Sequence, residues 1–325
     1  MKTAPLPWAA AATELRRART VLLAIHQRPD GDALGSELAL ASFLKGMGAR
    51  TWVGSDDPVP ERYLFLPGAA SVLGPRARLP ARFDLAVLIE CANPARAGGF
   101  GKSMRRARRV LNIDHHPGNA DYGDVNLVAP DAPATVLLAE RLREELGVPL
   151  TPQAAVNFYA GLFTETGGFR YANTTPEVLA LASRFVTAGA SPSAVAEMVY
   201  GRVPPRRYRL LGRALGSLSL DRTVSWMSLS LGDFAETGST EEDSEEFVEY
   251  ARSVRGARVA VFLREIPGGV RASLRSRIGT AVNLVARRFG GGGHAYAAGC
   301  TLKGVTLAEA RRKLGAALGV RRSPR

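Results

Sequence analysis

The feature that most constrains this chain is a series of short apolar runs, several of which end in a polar cluster before a helical pattern begins. The runs with the length of buried strands are residues 20–25, 50–53, 83–89 and 109–113. Helical apolar spacing is found in residues 33–47, 134–146 and 152–163. Strands of this kind, separated by helices, predict a parallel sheet covered on both faces. Such sheets bind ligands beyond the carboxyl ends of their strands, so the polar clusters there are the candidate functional residues.

The pattern changes after Tyr200, where residues 201–205 contain two prolines and interrupt the helices. The segments beyond it with a strand pattern are residues 223–231, 257–264 and 270–276. A charged helix start is expected at residues 240–243 and a helix at 281–288. Because 325 residues exceed what one core usually spans, we expect two domains. We predict an α/β fold with an N-terminal parallel-sheet domain (1–190), a helical linker (191–215) and a smaller C-terminal α/β domain with a mixed sheet (216–325).

Composition limits the partners and the compartment. The net charge of +13 and a pI near 10.4 favour acidic ligands. Two cysteines are too few for a disulfide framework, and no apolar stretch approaches the length of a membrane span. The N-terminus is typical of an amphipathic helix rather than of a secretory signal. We therefore expect a cytoplasmic protein without a membrane partner.

The first polar cluster follows the first strand and contains His26, Asp30 and Asp32. One imidazole and two carboxylates on one loop suit Mn²⁺, Zn²⁺ or Fe²⁺, whereas Mg²⁺ requires mostly oxygen ligands. Because the two aspartates are two residues apart, their side chains can diverge toward two ions. The alternative is that Asp32 only caps the following helix, which leaves His26 and Asp30 without a role.

The other histidines also lie in polar segments that follow apolar runs. Asp114, His115 and His116 follow the fourth strand, and adjacent histidines there suggest one metal ligand and one neighbour that contacts substrate. The glycine run 290–293 precedes His294 and offers backbone N–H groups to a phosphate, with a flexible linker as the alternative. Glu90 and Glu165 follow a strand and a helix, and each is by itself typical of a loop.

Together these segments resemble the DHH phosphoesterase superfamily with its DHH-associated C-terminal domain. The resemblance rests on three motifs, which are His26-x-x-x-Asp30-x-Asp32, Asp114-His115-His116 and Phe289-Gly-Gly-Gly-Gly-His294 with Ala297-Ala298-Gly299. They occur in the family's order and cover essentially the whole chain. Within the superfamily, the chain is most similar to the NrnA-type bifunctional oligoribonucleases and phosphoadenosine-phosphate phosphatases.

The resemblance implies two divalent metal ions, with Mn²⁺ as the expected metal. It places His26 and Asp30 on one ion, and Asp32 and His115 on the other. It further implies a bridging carboxylate at Glu90 and a second-site ligand at Glu165, two positions at which the family commonly has aspartate. The two longer side chains leave three options open, which are a re-spaced site, weaker metal binding and ligation through a water molecule.

The resemblance also implies roles in catalysis and in substrate binding. His116 would face the scissile phosphate, with Asp114 as its partner. The far end of the substrate would contact the C-terminal domain, where Arg275 can meet a phosphate bidentately. The implied substrate-binding residues are Arg275, Ser276, Gly291, Gly292, Gly293 and His294.

We therefore expect a hydrolase that cleaves very short oligoribonucleotides to mononucleotides and that also dephosphorylates 3′-phosphoadenosine 5′-phosphate. One alternative is a phosphodiesterase for cyclic or linear dinucleotides. The glycine run argues against a pyrophosphatase, and the small size argues against processive degradation of long strands. An alternative of another class is a nucleotide-binding sensor that Glu90 and Glu165 impair in catalysis. A homodimer is left open.

Overall fold

The computed structural model describes residues 5–277 and 280–319, so the end of the expected C-terminal domain, from residue 320, lies outside the described residues. The chain divides into two compact units, one ending at Arg202 and the other starting at Val203. The domain boundaries and the linker expected at 191–215 stay a prediction.

The N-terminal unit contains a five-stranded sheet in which all neighbouring strands are parallel. Its strands are β1 (Thr20–Ile25), β2 (Arg50–Gly54), β3 (Phe83–Ile89), β4 (Ala107–Asp114) and β5 (Val125–Val128). The strand order is β2-β1-β3-β4-β5. The parallel sheet predicted from the apolar runs is confirmed, and the short edge strand β5 is an addition.

Helices cover this sheet on both faces. They are α1 (Trp8–Arg17), α2 (Gly31–Gly46), α3 (Gly98–Ser103), α4 (Thr135–Leu146), α5 (Pro152–Glu165), α6 (Pro176–Thr187) and α7 (Pro192–Ala196), which continues into a π-helical turn (Glu197–Gly201). Side chains of β1 alternate between the two faces: Val21 and Leu23 join the large core, whereas Leu22 packs in the smaller core with Phe100 of α3. Burial on both faces explains the uninterrupted apolar runs.

Glycines allow α2 and α5 to pack closely beside the carboxyl ends of the strands. A Cβ at Gly35 would lie 2.4 Å from the backbone oxygen of Asn157, and one at Gly31 would overlap the hydroxyl of Thr164. A Cβ at Gly161 would lie 3.2 Å from Cα of Asp32. The helix that carries Asp32 is thereby placed directly against α5.

The C-terminal unit contains a six-stranded sheet of order β10-β11-β9-β8-β7-β6. Its strands are β6 (Ser219–Asp221), β7 (Val224–Leu229), β8 (Val259–Ile266), β9 (Gly269–Ser276), β10 (Gly292–His294) and β11 (Ala297–Lys303). Its helices are α8 (Pro205–Gly216), α9 (Leu231–Thr237), α10 (Val248–Ser253), α11 (Val282–Arg287) and α12 (Leu307–Ala317). Among the described strands of this sheet, β7 and β8 pair in parallel and the other neighbours pair antiparallel, so the predicted mixed sheet is confirmed.

The prediction that a charged helix starts at residues 240–243 is wrong. A single 3-10 turn (Glu242–Ser244) forms there, and α10 begins only at Val248. Glu245 is extended and Glu246 has a φ of 66°, so these two residues interrupt the helix that the charge pattern suggested.

Two further expectations concern membranes and cysteines. Within residues 5–277 and 280–319, no single helix is long and apolar enough to cross a membrane; Pro176–Thr187 and Pro192–Gly201 meet that test only as a pair bent by 107°. Cys91 and Cys300 are both buried free thiols.

Candidate metal centre

His26 and Asp30 lie together at the carboxyl end of β1. Nδ1–H of His26 donates to the backbone oxygen of Gln27 (2.8 Å), so Nε2 is directed toward Oδ2 of Asp30 at 3.5 Å. Burial opposes the charged forms of both groups, but their mutual hydrogen bond and charge outweigh it, because the pKa of Asp30 is lowered and that of His26 is raised. His26 and Asp30 thus stabilise each other's charged forms.

Asp30, and not Asp32, caps α2, because its side chain accepts a hydrogen bond from the backbone N–H of Ala33 (2.9 Å). The alternative in which Asp32 merely caps this helix is therefore wrong. Asp32 is fully buried and turns toward the start of α4, where it accepts from the backbone N–H groups of Thr135 (2.7 Å) and Val136 (2.9 Å).

Burial raises the pKa of Asp32, and the charge of His115 and the two N–H groups of α4 only partly oppose this rise. The two aspartates thus point to different neighbours, His26 for Asp30 and the α4 side for Asp32. The two side chains diverge as their spacing allows, and their binding of two different ions stays a prediction.

Glu90 occupies a left-handed backbone position (φ 60°) directly after β3 and is 2% exposed. Its Oε1 accepts the hydroxyl proton of Thr135 and lies 3.5 Å from Nε2 of His115, while Oε2 lies 3.5 Å from Nδ1 of His116. Burial raises its pKa well above the usual range, and the neighbouring carboxylates of Asp32, Asp30, Asp114 and Glu165 raise it further. Glu90 thus lies among four other carboxyl groups whose negative charge favours its protonated form.

The Asp114-His115-His116 segment ends β4 and directs its two imidazoles apart, with ring planes 73° to each other. Nδ1–H of His115 donates to the backbone oxygen of Ala132 (2.9 Å), which leaves Nε2 directed toward Glu90. Nδ1–H of His116 donates to Oδ1 of Asp114 (2.8 Å).

Burial would raise the pKa of Asp114. The hydrogen bond and charge of His116, together with Asn119, outweigh burial and lower it. Asp114 is thus an ionised carboxylate that sets the tautomer and orientation of the partly exposed His116.

Two groups of these side chains have the spacing of metal ligands. The ligand atoms of Asp32, Glu90 and His115 lie within 4.8 Å of one another, as do those of Glu90, Asp114 and His116. Glu165 ends α5 and is half-buried, close enough to raise the pKa of Glu90.

This donor set fits divalent cations. Several carboxylates share a buried site, and His26 and His115 each use Nδ1–H on a backbone oxygen, which leaves Nε2 as the donor atom. Buried carboxylates are stable only when a cation or hydrogen bonds offset their charge. Imidazoles held through a hydrogen bond of the other ring nitrogen are typical of metal ligands.

Two residues that contact the site were not predicted from the sequence. Asn119 donates to Oδ2 of Asp114 (2.6 Å), and Thr135 contacts both Asp32 and Glu90. Thr135 is the first residue of α4, and its place at a helix start is the only sequence signal that pointed to it.

The residues expected to bind substrate in the C-terminal unit lie on β9, β10 and the turn before β10. Arg275 donates through Nε to Glu249 (3.1 Å), and the hydroxyl of Ser276 donates to the backbone oxygen of Thr280 (2.5 Å). The glycines are not a flexible linker, because Gly292 to His294 pair with β11. A Cβ at Gly293 would lie 2.4 Å from the backbone oxygen of Ala297, so strand pairing by itself already requires glycine there.

Comparison with known proteins agrees with this architecture. Residues 20–162 match the N-terminal domain of the DHH family, and residues 224–319 match the DHHA1 domain. A bifunctional oligoribonuclease and PAP phosphatase of Thermus thermophilus is 37% identical, over 90% of this chain and 87% of the relative. Its counterpart in Bacillus subtilis is 27% identical, over 87% of this chain and 89% of the relative.

A solved structure also resembles the chain. The crystal structure of an exopolyphosphatase-related protein from Bacteroides fragilis covers 96% of this chain and 95% of its own, with 26% identity and a TM-score of 0.89. The family domains, the relatives and the strand-end cluster of carboxylates and imidazoles agree, and the chain belongs to the DHH family of phosphoesterases.

Proposed function

We propose that this chain hydrolyses phosphate esters with two bound divalent ions, Mn²⁺ being the expected metal. The observation that carries the proposal is the buried set of carboxylates at the carboxyl ends of β1, β3 and β4, with imidazole Nε2 atoms directed into it. A mixed imidazole and carboxylate donor set suits Mn²⁺ better than it suits Mg²⁺.

Each ion would be held by one histidine and one aspartate. His26 and Asp30 would hold one ion, while Asp32 and His115 would hold the other. Glu90 would lie between the two ions and Glu165 at the second. When bound, such ions acidify a water molecule and neutralise charge that develops on the phosphoryl oxygens.

The chain's own contribution to catalysis centres on His116. Asp114 accepts the Nδ1 proton of His116, so the opposite ring nitrogen, Nε2, is the one that is available to a substrate phosphate. A protonated Nε2 would donate to a phosphate oxygen and help to orient it for attack. Asn119 keeps Asp114 in place through its other carboxylate oxygen.

The proposed substrates are very short RNA oligonucleotides, cleaved to mononucleotides, and 3′-phosphoadenosine 5′-phosphate, which would lose its 3′-phosphate. Support comes from the two relatives, which are named as bifunctional oligoribonuclease and PAP phosphatase and match over most of their length. Arg275, Ser276, the glycines 291–293 and His294 would contact the far end of the substrate. The net charge of +13 favours such polyanions. We further propose a cytoplasmic location and leave a homodimer as an option.

The test is Mn²⁺-dependent hydrolysis of end-labelled RNA of two to ten nucleotides, with release of phosphate from phosphoadenosine phosphate measured in parallel. We expect turnover to be fastest on the shortest RNA. A linear and a cyclic dinucleotide in the same panel test the phosphodiesterase alternative, which a strong preference for the cyclic substrate would favour.

The variant Glu90→Gln tests the site itself, because it removes the ionisable carboxyl group and keeps the size of the side chain. Glu177→Gln, on the exposed start of α6, makes the same chemical change outside the site and serves as the control. We expect hydrolysis to fall only in Glu90→Gln. Tight binding of dinucleotide by the wild-type protein without any turnover would instead identify a sensor and refute the enzyme.

A further inference from the structure

Thr135 contacts two of the candidate metal ligands through two different atoms. Its backbone N–H donates to Oδ2 of Asp32 (2.7 Å), and its hydroxyl donates to Oε1 of Glu90. These partners lie 103 and 45 residues away along the chain. Thr135 is fully buried, so neither contact competes with bulk water.

Glu90 needs such support more than the other ligands do. Its backbone is in the left-handed region, and its side chain has one more rotatable bond than an aspartate would have. The Thr135 hydroxyl occupies one lone pair of Oε1 and leaves the second lone pair, and the whole of Oε2, for other partners. The hydroxyl thus fixes the direction of the Glu90 carboxylate, whose remaining lone pairs can still accept hydrogen bonds or bind a cation.

We propose that Thr135 is a positioning residue that sets the separation of Asp32 and Glu90, and that its hydroxyl is what adapts the site to a glutamate at position 90. The inference rests on the proposed function, because it concerns the carboxylates proposed to hold the metals. Since the start of α4 holds Asp32 by backbone N–H groups and Glu90 by a side chain, one short segment spans the two ligands.

The two contacts can be separated experimentally. Thr135→Val keeps the shape of the side chain and the backbone N–H to Asp32, but it removes the hydroxyl that Glu90 accepts. The assay is titration of the metal-free protein with Mn²⁺, following the free ion by electron paramagnetic resonance, which measures affinity and stoichiometry without any substrate. We expect Mn²⁺ to bind about 10- to 100-fold more weakly at one or both sites.

Control variants test whether a loss of Mn²⁺ affinity comes from misfolding rather than from the missing hydroxyl. Thr237→Val removes a largely buried hydroxyl that donates to the backbone oxygen of Asp233 in the C-terminal unit, and it should leave Mn²⁺ affinity unchanged. If Thr135→Val does not fold, Thr135→Ser and Thr135→Ala take its place, because both lose the methyl group and only the alanine also loses the hydroxyl. The serine variant should bind Mn²⁺ nearly as the wild type does, and the alanine variant should not.

Repeating the substitution in a Glu90→Asp variant distinguishes a positioning role of the Thr135 hydroxyl from a general packing defect. Glu90→Asp shortens the side chain by one methylene and should draw the carboxylate away from the Thr135 hydroxyl. Thr135→Val should therefore lower Mn²⁺ affinity in the wild type and leave it unchanged in the Glu90→Asp background. Equal losses in both backgrounds, or wild-type affinity in Thr135→Val, would overturn the role of the hydroxyl while the proposed function stands. A wild-type protein that binds no Mn²⁺ at all would overturn both.

Discussion

Glu37 provides a direct test of how the N-terminal core accommodates a buried carboxyl group. It lies in the middle of α2, is fully buried, and neither of its carboxylate oxygens has a hydrogen bond of ordinary geometry. Burial raises its pKa well above the ordinary value of 4.5, and the backbone of Gly54 opposes this to a smaller extent. The folded chain therefore binds this proton more tightly than the unfolded chain does.

The magnitude follows from linkage. The stabilising effect of the bound proton is fully present below the unfolded pKa, and it is lost as the pH rises through the folded pKa. Between those two values the free energy of unfolding falls by about 1.4 kcal/mol per pH unit because of this one group. Glu37→Gln has nearly the same shape and does not titrate, so the free energy of unfolding of the variant should rise relative to that of the wild type by this amount for each pH unit between 4.5 and the folded pKa.

The assay is urea-induced unfolding at several pH values between 5 and 8. Unfolding is monitored by hydrogen exchange in peptides from α2, because these peptides report on the N-terminal unit. Glu177→Gln, which is exposed, should show a difference from the wild type that is small and independent of pH. The same flat difference in Glu37→Gln would refute the reasoning, because it would mean that the buried carboxyl has an ordinary pKa.

Three further predictions concern packing, orientation and metal. Gly35→Ala places a Cβ 2.4 Å from the backbone oxygen of Asn157 and should lower the free energy of unfolding in urea by about 1–3 kcal/mol. A Cβ at Gly46 would have nothing within 4 Å, so the control Gly46→Ala should not lower it. Similar unfolding midpoints for the two variants would contradict the close packing of α2 on α5. Asp114→Asn removes the charge that orients His116 and should lower hydrolysis of RNA dinucleotide by about 10- to 100-fold, so unchanged rates would exclude that role. Dialysis against EDTA should abolish hydrolysis, and added Mn²⁺ should restore it and raise the unfolding temperature by mass action; activity that survives the chelator would argue against a metal centre.

Local sequence was sufficient to predict four of the five strands of the N-terminal sheet. β1 and β3 have the predicted bounds, because a strand buried on both faces is a continuous apolar run that ends where the polar residues of the site begin. The same rule located the candidate site, since parallel strands bring His26, Glu90 and Asp114 to one edge of the sheet. The assignment of His26 and Glu90 as metal ligands, and of Asp114 as the catalytic partner of His116, is still a prediction.

Other features depended on partners that are distant in the sequence. The sequence left open that Asp32 caps its own helix, but Asp30 is the cap and Asp32 accepts hydrogen bonds from the start of α4. The burial of Glu37 was also invisible, because an isolated glutamate in a helix reads as an exposed charge until a sheet covers it.

Sequence by itself therefore determined which chemical groups stand at the ends of the strands, because strand length and polarity are local properties. Only the tertiary structure decided how those groups are held. The direction of each carboxylate depends on donors such as the hydroxyl of Thr135 and the side chain of Asn119, which reach it from other segments of the fold. Hydrogen bonds of this kind require a specific distance and angle, and chain folding sets both.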